Sequence, residues 1–557
     1  MRELDLADIQ GGILRAYGRL GFPKARYFFL TVNDGQKGRG VVEALRPHIT
    51  TAARWVDPTR GEPLLRTRHP KLTDAIREQG IDDYPGVVQL VKPKVAINVA
   101  FSFLGLLALG VPVRTLRGMP DEFIDGMEKR AAMLGDTRWL DSRDAIWRQA
   151  AQRPVHIMVS MNAEMDEAGA PVAELETATD GLRALCAGTE GGVEVLSGNG
   201  PDDAQYQSMS AVLRDDHGKV APSNKEHFGL SDGFGDPVFV GQYGPKAEAI
   251  KKIGGGKLLP DQTWAPIATG EFLLGHVDEA QEIPDAGMPL EFSRNGTFMA
   301  YRKLHENVLS FSNYIKLQGQ AYGAAMGVAD PGEAAATVSA KLVGRWSDGV
   351  PLQAAPTFAD WQAFNADLAA AQAAQDKPRL AAIAQKYVDF TYRLDPDGAT
   401  CPVTAHLRRV NTRDTLDPRF ASKNPKDWMG SALNNRRRIL RRGLPYGAVD
   451  AANPTDVGEH GIVFLAVCSS LFRQFEFVQQ QWVQYGLDFN SGSDACPIVG
   501  NHDDESKFVI AAKPSGDGAP FICDSIPQFV EPRGGEYFFV PSMTALRMIG
   551  MGIVDPT

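Results

Sequence analysis

Cysteine is scarce: five residues in 557, Cys186, Cys401, Cys468, Cys496 and Cys523. The number is odd and no two form a CxxC pair, which argues against a disulfide framework and a thiolate zinc site. Long apolar runs are lacking too. The longest, Ala96–Val113, contains Asn98 and Ser102 and falls short of the roughly 20 apolar residues a bilayer span needs, so it reads as buried core. Basic charge is in deficit, with 58 Lys and Arg against 68 Asp and Glu for a net −10. That balance is repelled by phosphate backbones and argues against a nucleic-acid partner. The start, MRELDLADIQGG, carries acids at Glu3, Asp5 and Asp8 rather than the basic-then-apolar pattern of a secretory leader. The expectation is a cytoplasmic protein with no membrane partner. Zincin spacing is missing among the ten histidines, because His305-Glu306 is followed by Leu309 and HExxH fails.

What is present is ordinary globular composition, 43% hydrophobic and 23% charged, in a chain long enough to bury a large core without staples. Lys24–Val32 and Val155–Met161 are short and β-rich, as are Thr297–Leu304, Gly461–Val467 and Glu536–Val540. Gly40–Trp55, Asp121–Leu134 and Leu471–Tyr485 space apolar residues as amphipathic helices do. Strands mixed with helices, without a strict βαβ rhythm, predict an α+β layer arrangement. Ala359–Val388 is Ala-rich, which predicts a peripheral helical insertion around 355–390. The division between halves is expected near 225, giving units 1–225 and 226–557.

Three segments carry candidate chemistry. In Asp395–Asp414, DPDGATCPVTAHLRRVNTRD, His406 stands among Arg408, Arg409 and Arg413; the cluster suits an anionic cofactor or a solvated basic loop equally. In Asn434–Gly447, NNRRRILRRGLPYG, five arginines flank Ile439 and Leu440 and need counter-charge from carboxylates of the fold or of a ligand. In Glu226–Phe239, EHFGLSDGFGDPVF, the glycines and the proline specify a sharp irregular loop that positions Asp232. An imidazole, a carboxylate and a guanidinium form a coherent set for peroxide activation at haem iron. Cys401 is a rival ligand, five residues before His406.

At these residues the chain resembles the dye-decolorizing peroxidases. GLSDG at 229–233 matches their GxxDG motif, CPVTAHLRRVNTRD at 401–414 resembles their proximal-histidine segment, and RILRRGLPYG at 438–447 their distal-arginine segment. DIQGGILRAYG, AFSFLGLLALG, NGTFMAYRKL, FRQFEFVQQQW and RGGEYFFVPS extend the likeness nearly end to end. The resemblance implies two ferredoxin-like α+β domains of antiparallel sheets with peripheral helices, and haem b in the C-terminal one. It implies His406 as iron ligand, Asp232 as distal acid–base, Arg441 as distal arginine, and Arg302 as a haem propionate contact. Arg438 and Arg442 are alternatives to Arg441. An acidic partner of the proximal imidazole is expected, with Glu476, Asp494 and Asp524 as candidates. The implied partners are hydrogen peroxide and small organic reductants such as dyes and phenols; the sequence does not disclose an oligomeric state.

Overall fold

The computed structural model describes residues 4–53, 55, 65–66, 88–89, 92–200, 202–214, 220–419, 422, 424–511 and 518–554. The first half supplies strands β1 (Lys24–Val32), β2 (Val95–Phe101), β3 (Ile157–Ala163), β4 (Val193–Val195) and β5 (Gln207–Ser210). The second half supplies β6 (Thr297–Glu306), β7 (Leu440–Tyr446), β8 (Gly461–Cys468) and β9 (Val530–Val540). All nine belong to one antiparallel sheet in the order β7-β8-β6-β9-β2-β3-β1-β4, with β5 also on β1.

Within each half the strand order is the same: second, third, first, fourth. Helix α1 (Gly35–Leu45) follows β1, and α2 (Ala173–Ala187) lies between β3 and β4. In the second half α3 (Val308–Met326) follows β6, and a helical stretch over 471–483 lies between β8 and β9. The chain therefore runs β-α-β-β-α-β twice, the ferredoxin-like α+β pattern. The halves join where Phe539 of β9 pairs with Phe101 of β2.

The central strands are buried on both faces, which explains their unbroken hydrophobicity. Alternate side chains enter two different cores. Phe28, Leu30 and Val32 pack in one with Phe298 and Ala300, while Tyr27 and Phe29 pack in the other with Met299 and Tyr301. The run at 96–113 is β2 followed by a short helix, Phe103–Ala108. Among the described residues no helix is long and apolar enough to cross a membrane.

Two expected helices are shorter than their patterns. The first ends at Leu45, because Pro47 follows in a tight turn over Arg46–His48. The stretch 121–134 divides into Asp121–Asp125 and Ala131–Leu134 at Gly126, whose φ is +77°. The Ala-rich segment forms α5 (Phe358–Ala373) and α6 (Lys377–Lys386), which follow α4 (Pro331–Val343). A capping box of Thr357 and Asp360 starts α5, and Trp361 stacks on the buried Trp346 at 4.8 Å. Helix α7 (His406–Val410) precedes β7, and α8 (Met543–Met551) follows β9.

Candidate active site

A single cavity collects Asp232, Arg302, His406, Arg438 and Arg441, drawn from segments far apart in the chain. Its walls are apolar, with Phe228, Leu304, Val410, Phe464, Phe475 and Val483 among them. Phe475 and Val483 come from the 471–483 helix, whose turns are of the wide π type; such turns recur at functional sites.

Asp232 sits at the crest of the glycine-rich loop. The loop is pinned where Asp232 N donates to Asn224 O (2.8 Å) and Ser231 N to Ser347 O (3.0 Å). Gly235 has φ +76°, and a Cβ there would fall 2.5 Å from Asn411 Nδ2, so glycine lets the loop close onto the segment after α7 without strain. Arg441 Nη1 donates to Asp232 Oδ1 at 2.9 Å and Nη2 to the Phe234 carbonyl at 2.7 Å. Burial opposes the charge on Arg441, but Asp232 and Asp236 outweigh it and raise its pKa. Neighbouring residues on a strand point to opposite sides. Arg442 accordingly turns away, to Asp236 (2.8 Å) and the Gly12 and Ile13 carbonyls. Of the three candidate arginines, Arg441 is the one paired with Asp232.

His406 opens α7 and lines the cavity. Its Nδ1 lies 3.2 Å from Cys496 Sγ, which leaves Nε2 as the ring nitrogen for a ligand. Cys496 is fully buried, with its N–H on Val483 O (2.7 Å) and its carbonyl accepting from Gly500 N (2.9 Å). Burial pushes the thiol up, but the His406 imidazole and the Arg409 guanidinium outweigh it and bring the pKa down to about 7. None of the three acids expected beside the imidazole is its hydrogen-bond partner. Glu476 is held by Arg130 (2.9 and 2.7 Å) and Tyr537 (2.8 Å), Asp494 faces Lys507, and the Asp524 carbonyl takes the Tyr314 hydroxyl. No motif around Cys496 marks it in the sequence as the partner of an imidazole 90 residues away.

The arginines around His406 are neither a solvated loop nor a ligand cradle. Arg408 binds Asp395 and the Cys401 carbonyl, Arg409 binds four carbonyls including Trp482 O and Asp494 O, and Arg413 reaches Gly254 O above the Phe390 ring. They fasten the His406 segment to its surroundings. Cys401 is buried in a separate apolar cluster with Trp346 and Tyr392 and does not line the cavity; burial pushes its thiol up to about 12. His69 and His217 lie outside the described residues.

Among the arginines that line this cavity, two guanidinium nitrogens are buried without a hydrogen-bond partner: Arg302 Nη1 and Arg438 Nη2. Arg302 spends its other end on Asp136 (2.8 Å). Burial, with Arg413 and Arg441 nearby, pulls the Arg438 pKa down to about 9, so an anion reaching it would relieve an unfavourable charge. Glu226 and Glu306, which sequence reasoning missed, also line the cavity. Glu226 accepts from Phe228 N (2.7 Å) and Leu230 N (2.8 Å) and so shapes the loop before Asp232. Desolvation is the main force raising both carboxyls, Glu226 to about 8. Among the described residues no group of three or more His, Cys, Asp and Glu could hold a metal ion.

Comparison with known proteins points to one family. Residues 8–180 match the model of the DyP dimeric alpha+beta barrel domain. The chain is 27% identical to dye-decolorizing peroxidase AauDyP1 of Auricularia auricula-judae over 82% of its length and 75% of that protein's. It is also 27% identical to Peroxidase 2 of Mycetinis scorodonius, over 98% of this chain and 87% of the relative. The solved structure of a point mutant of a decolorizing peroxidase from Auricularia auricula-judae superposes with a TM-score of 0.66 at 25% identity, covering 98% of this chain and 99% of that one.

Proposed function

The chain belongs to the DyP-type peroxidase family, and from that premise we propose that it is a haem b peroxidase. It reduces hydrogen peroxide in this cavity and oxidizes bulky dyes, phenols or similar organic reductants by one-electron steps. The observation that carries the reading is the shared cavity of His406, Asp232 and Arg441, with the Asp232–Arg441 pair closed at 2.9 Å.

The residues present suit haem. His406 Nε2 would hold the iron, and the apolar side chains of the cavity would face the porphyrin. The partnerless nitrogens of Arg302 and Arg438 suit its two carboxylates. Bound haem supplies the redox chemistry that the side chains lack. The protein supplies proton management and charge. An Asp232 carboxylate oxygen would take a proton from one peroxide oxygen and hand it to the other, with the two electrons for breaking the O–O bond coming from the bound haem. Arg441 holds that carboxylate in place and sets its own charge beside the negative charge that develops as the O–O bond breaks.

The test is Asp232→Asn in haem-loaded protein. Peroxide-driven dye bleaching is expected to fall by about 10²–10⁴-fold, the usual worth of a positioned acid–base, with haem still bound. Undiminished turnover would contradict the assignment, and haem binding without peroxide turnover in the unsubstituted protein would favour a haem carrier on the same scaffold.

A further inference from the structure

We propose that Cys496 is the positioning residue of the axial imidazole, taking the place of the carboxylate that an iron-bound histidine ordinarily has behind it. The inference rests on the reading of His406 as a haem ligand and adds which group governs it. The geometry is local and specific. With Nε2 committed to iron, Nδ1 carries the proton and donates it to Cys496 Sγ across 3.2 Å, a normal length for a bond to sulfur. The thiol cannot drift, because Cys496 is fully buried and its backbone is bonded to Val483 and Gly500. His502 Nε2 also lies 2.9 Å from its carbonyl. Val483 lines the same cavity, so the sulfur, the imidazole and the cavity wall form one connected unit. The acids that might compete are tied elsewhere: Glu476 to Arg130 and Tyr537, and Asp494 toward Lys507.

The partner of a ligating histidine fixes the ring's orientation and raises its basicity. An imidazole backed by sulfur therefore keeps a set angle to the iron and donates to it. Once that acceptor is lost, Nδ1–H has nothing to lean on. The ring becomes a poorer donor, and the ferric state loses stabilization relative to the ferrous state.

The experiment uses the haem-loaded chain and two readouts that do not depend on turnover: the ferric/ferrous midpoint potential and the iron–imidazole stretching frequency of the ferrous form. Cys496→Ala is expected to weaken the ferric preference by about tenfold, a positive shift of about 59 mV for one electron, and to lower the stretching frequency. Cys496→Asp, which restores a strong acceptor, should bring both back to the unsubstituted values or beyond. Cys496→Ser, close in size, serves as a second restoring variant should the carboxylate not fold. Unchanged potential and frequency in Cys496→Ala overturn the proposal while leaving the haem reading intact. An unsubstituted chain that takes up no haem overturns both.

Discussion

Replacing Arg441 by Leu removes two bonds at once, the 2.9 Å contact to Asp232 and the 2.7 Å contact to the Phe234 carbonyl. The size of the effect follows from where the charge sits. A guanidinium about 4 Å from a developing anion is worth about 4 kcal/mol at the effective dielectric of a protein site and about 1 kcal/mol in bulk water. The Arg441 side chain is 28% exposed, which places it toward the protein end of that range. The loss of one preorganized donor commonly costs about 10²–10³-fold. Arg441→Leu is therefore expected to lower kcat/KM for peroxide by about 10²–10³-fold. Arg441→Lys keeps the charge but not the two-pronged contact, and should lose less than Leu. The assay is stopped-flow mixing of haem-loaded protein with peroxide, following the Soret band under second-order conditions. Soret intensity before mixing checks that haem is still bound. A Leu variant that keeps its haem and reacts within threefold of the unsubstituted rate would refute the argument.

Other expectations follow from the surroundings of the site. Arg130→Met leaves the buried Glu476 carboxylate with only the Tyr537 hydroxyl, which should cost about 3–5 kcal/mol. Spread over the unfolding entropy of a chain this long, that is a fall in Tm of about 3–4 °C, and Arg130→Met with Glu476→Gln should recover most of it; an unchanged Tm in the single variant would contradict the pairing. Glu226 is raised in the folded state from 4.5 to about 8, so the native state holds that proton more tightly than the unfolded chain does. Its contribution is full below pH 4.5 and is lost as pH rises toward 8. Thermal scans across this window should show a shallower decline for Glu226→Gln, and identical slopes would contradict the raised carboxyl.

The strands were the most legible part of the sequence. Lys24–Val32 is β1 to the residue, and Gly461–Val467 is β8 less Cys468, because strands buried on both faces show continuous apolar runs with sharp polar ends. Helix ends were less legible. Periodicity runs on through Pro47 and Gly126, while the backbone stops at them. At the site, Asp232, His406 and Arg441 were chosen by their likeness to family motifs; no local pattern announces that residues 174 and 35 positions apart share one cavity. The roles of Arg408, Arg409 and Arg413 were misjudged because a run of arginines looks the same in sequence whether it meets solvent, a ligand or buried carbonyls. Glu226, Glu306 and Cys496 carry no sequence signal at all. Their character comes from burial and from neighbours supplied by distant segments.

The most direct measurement is a titration of the purified chain with haem, followed by visible absorption and repeated with His406→Ala. The expected result is a Soret band that sharpens to an end point at one haem per chain and is abolished or greatly weakened in the variant. A chain that never develops the band, or a variant whose band and end point match the unsubstituted protein, would contradict the claim that His406 holds a porphyrin iron in this cavity.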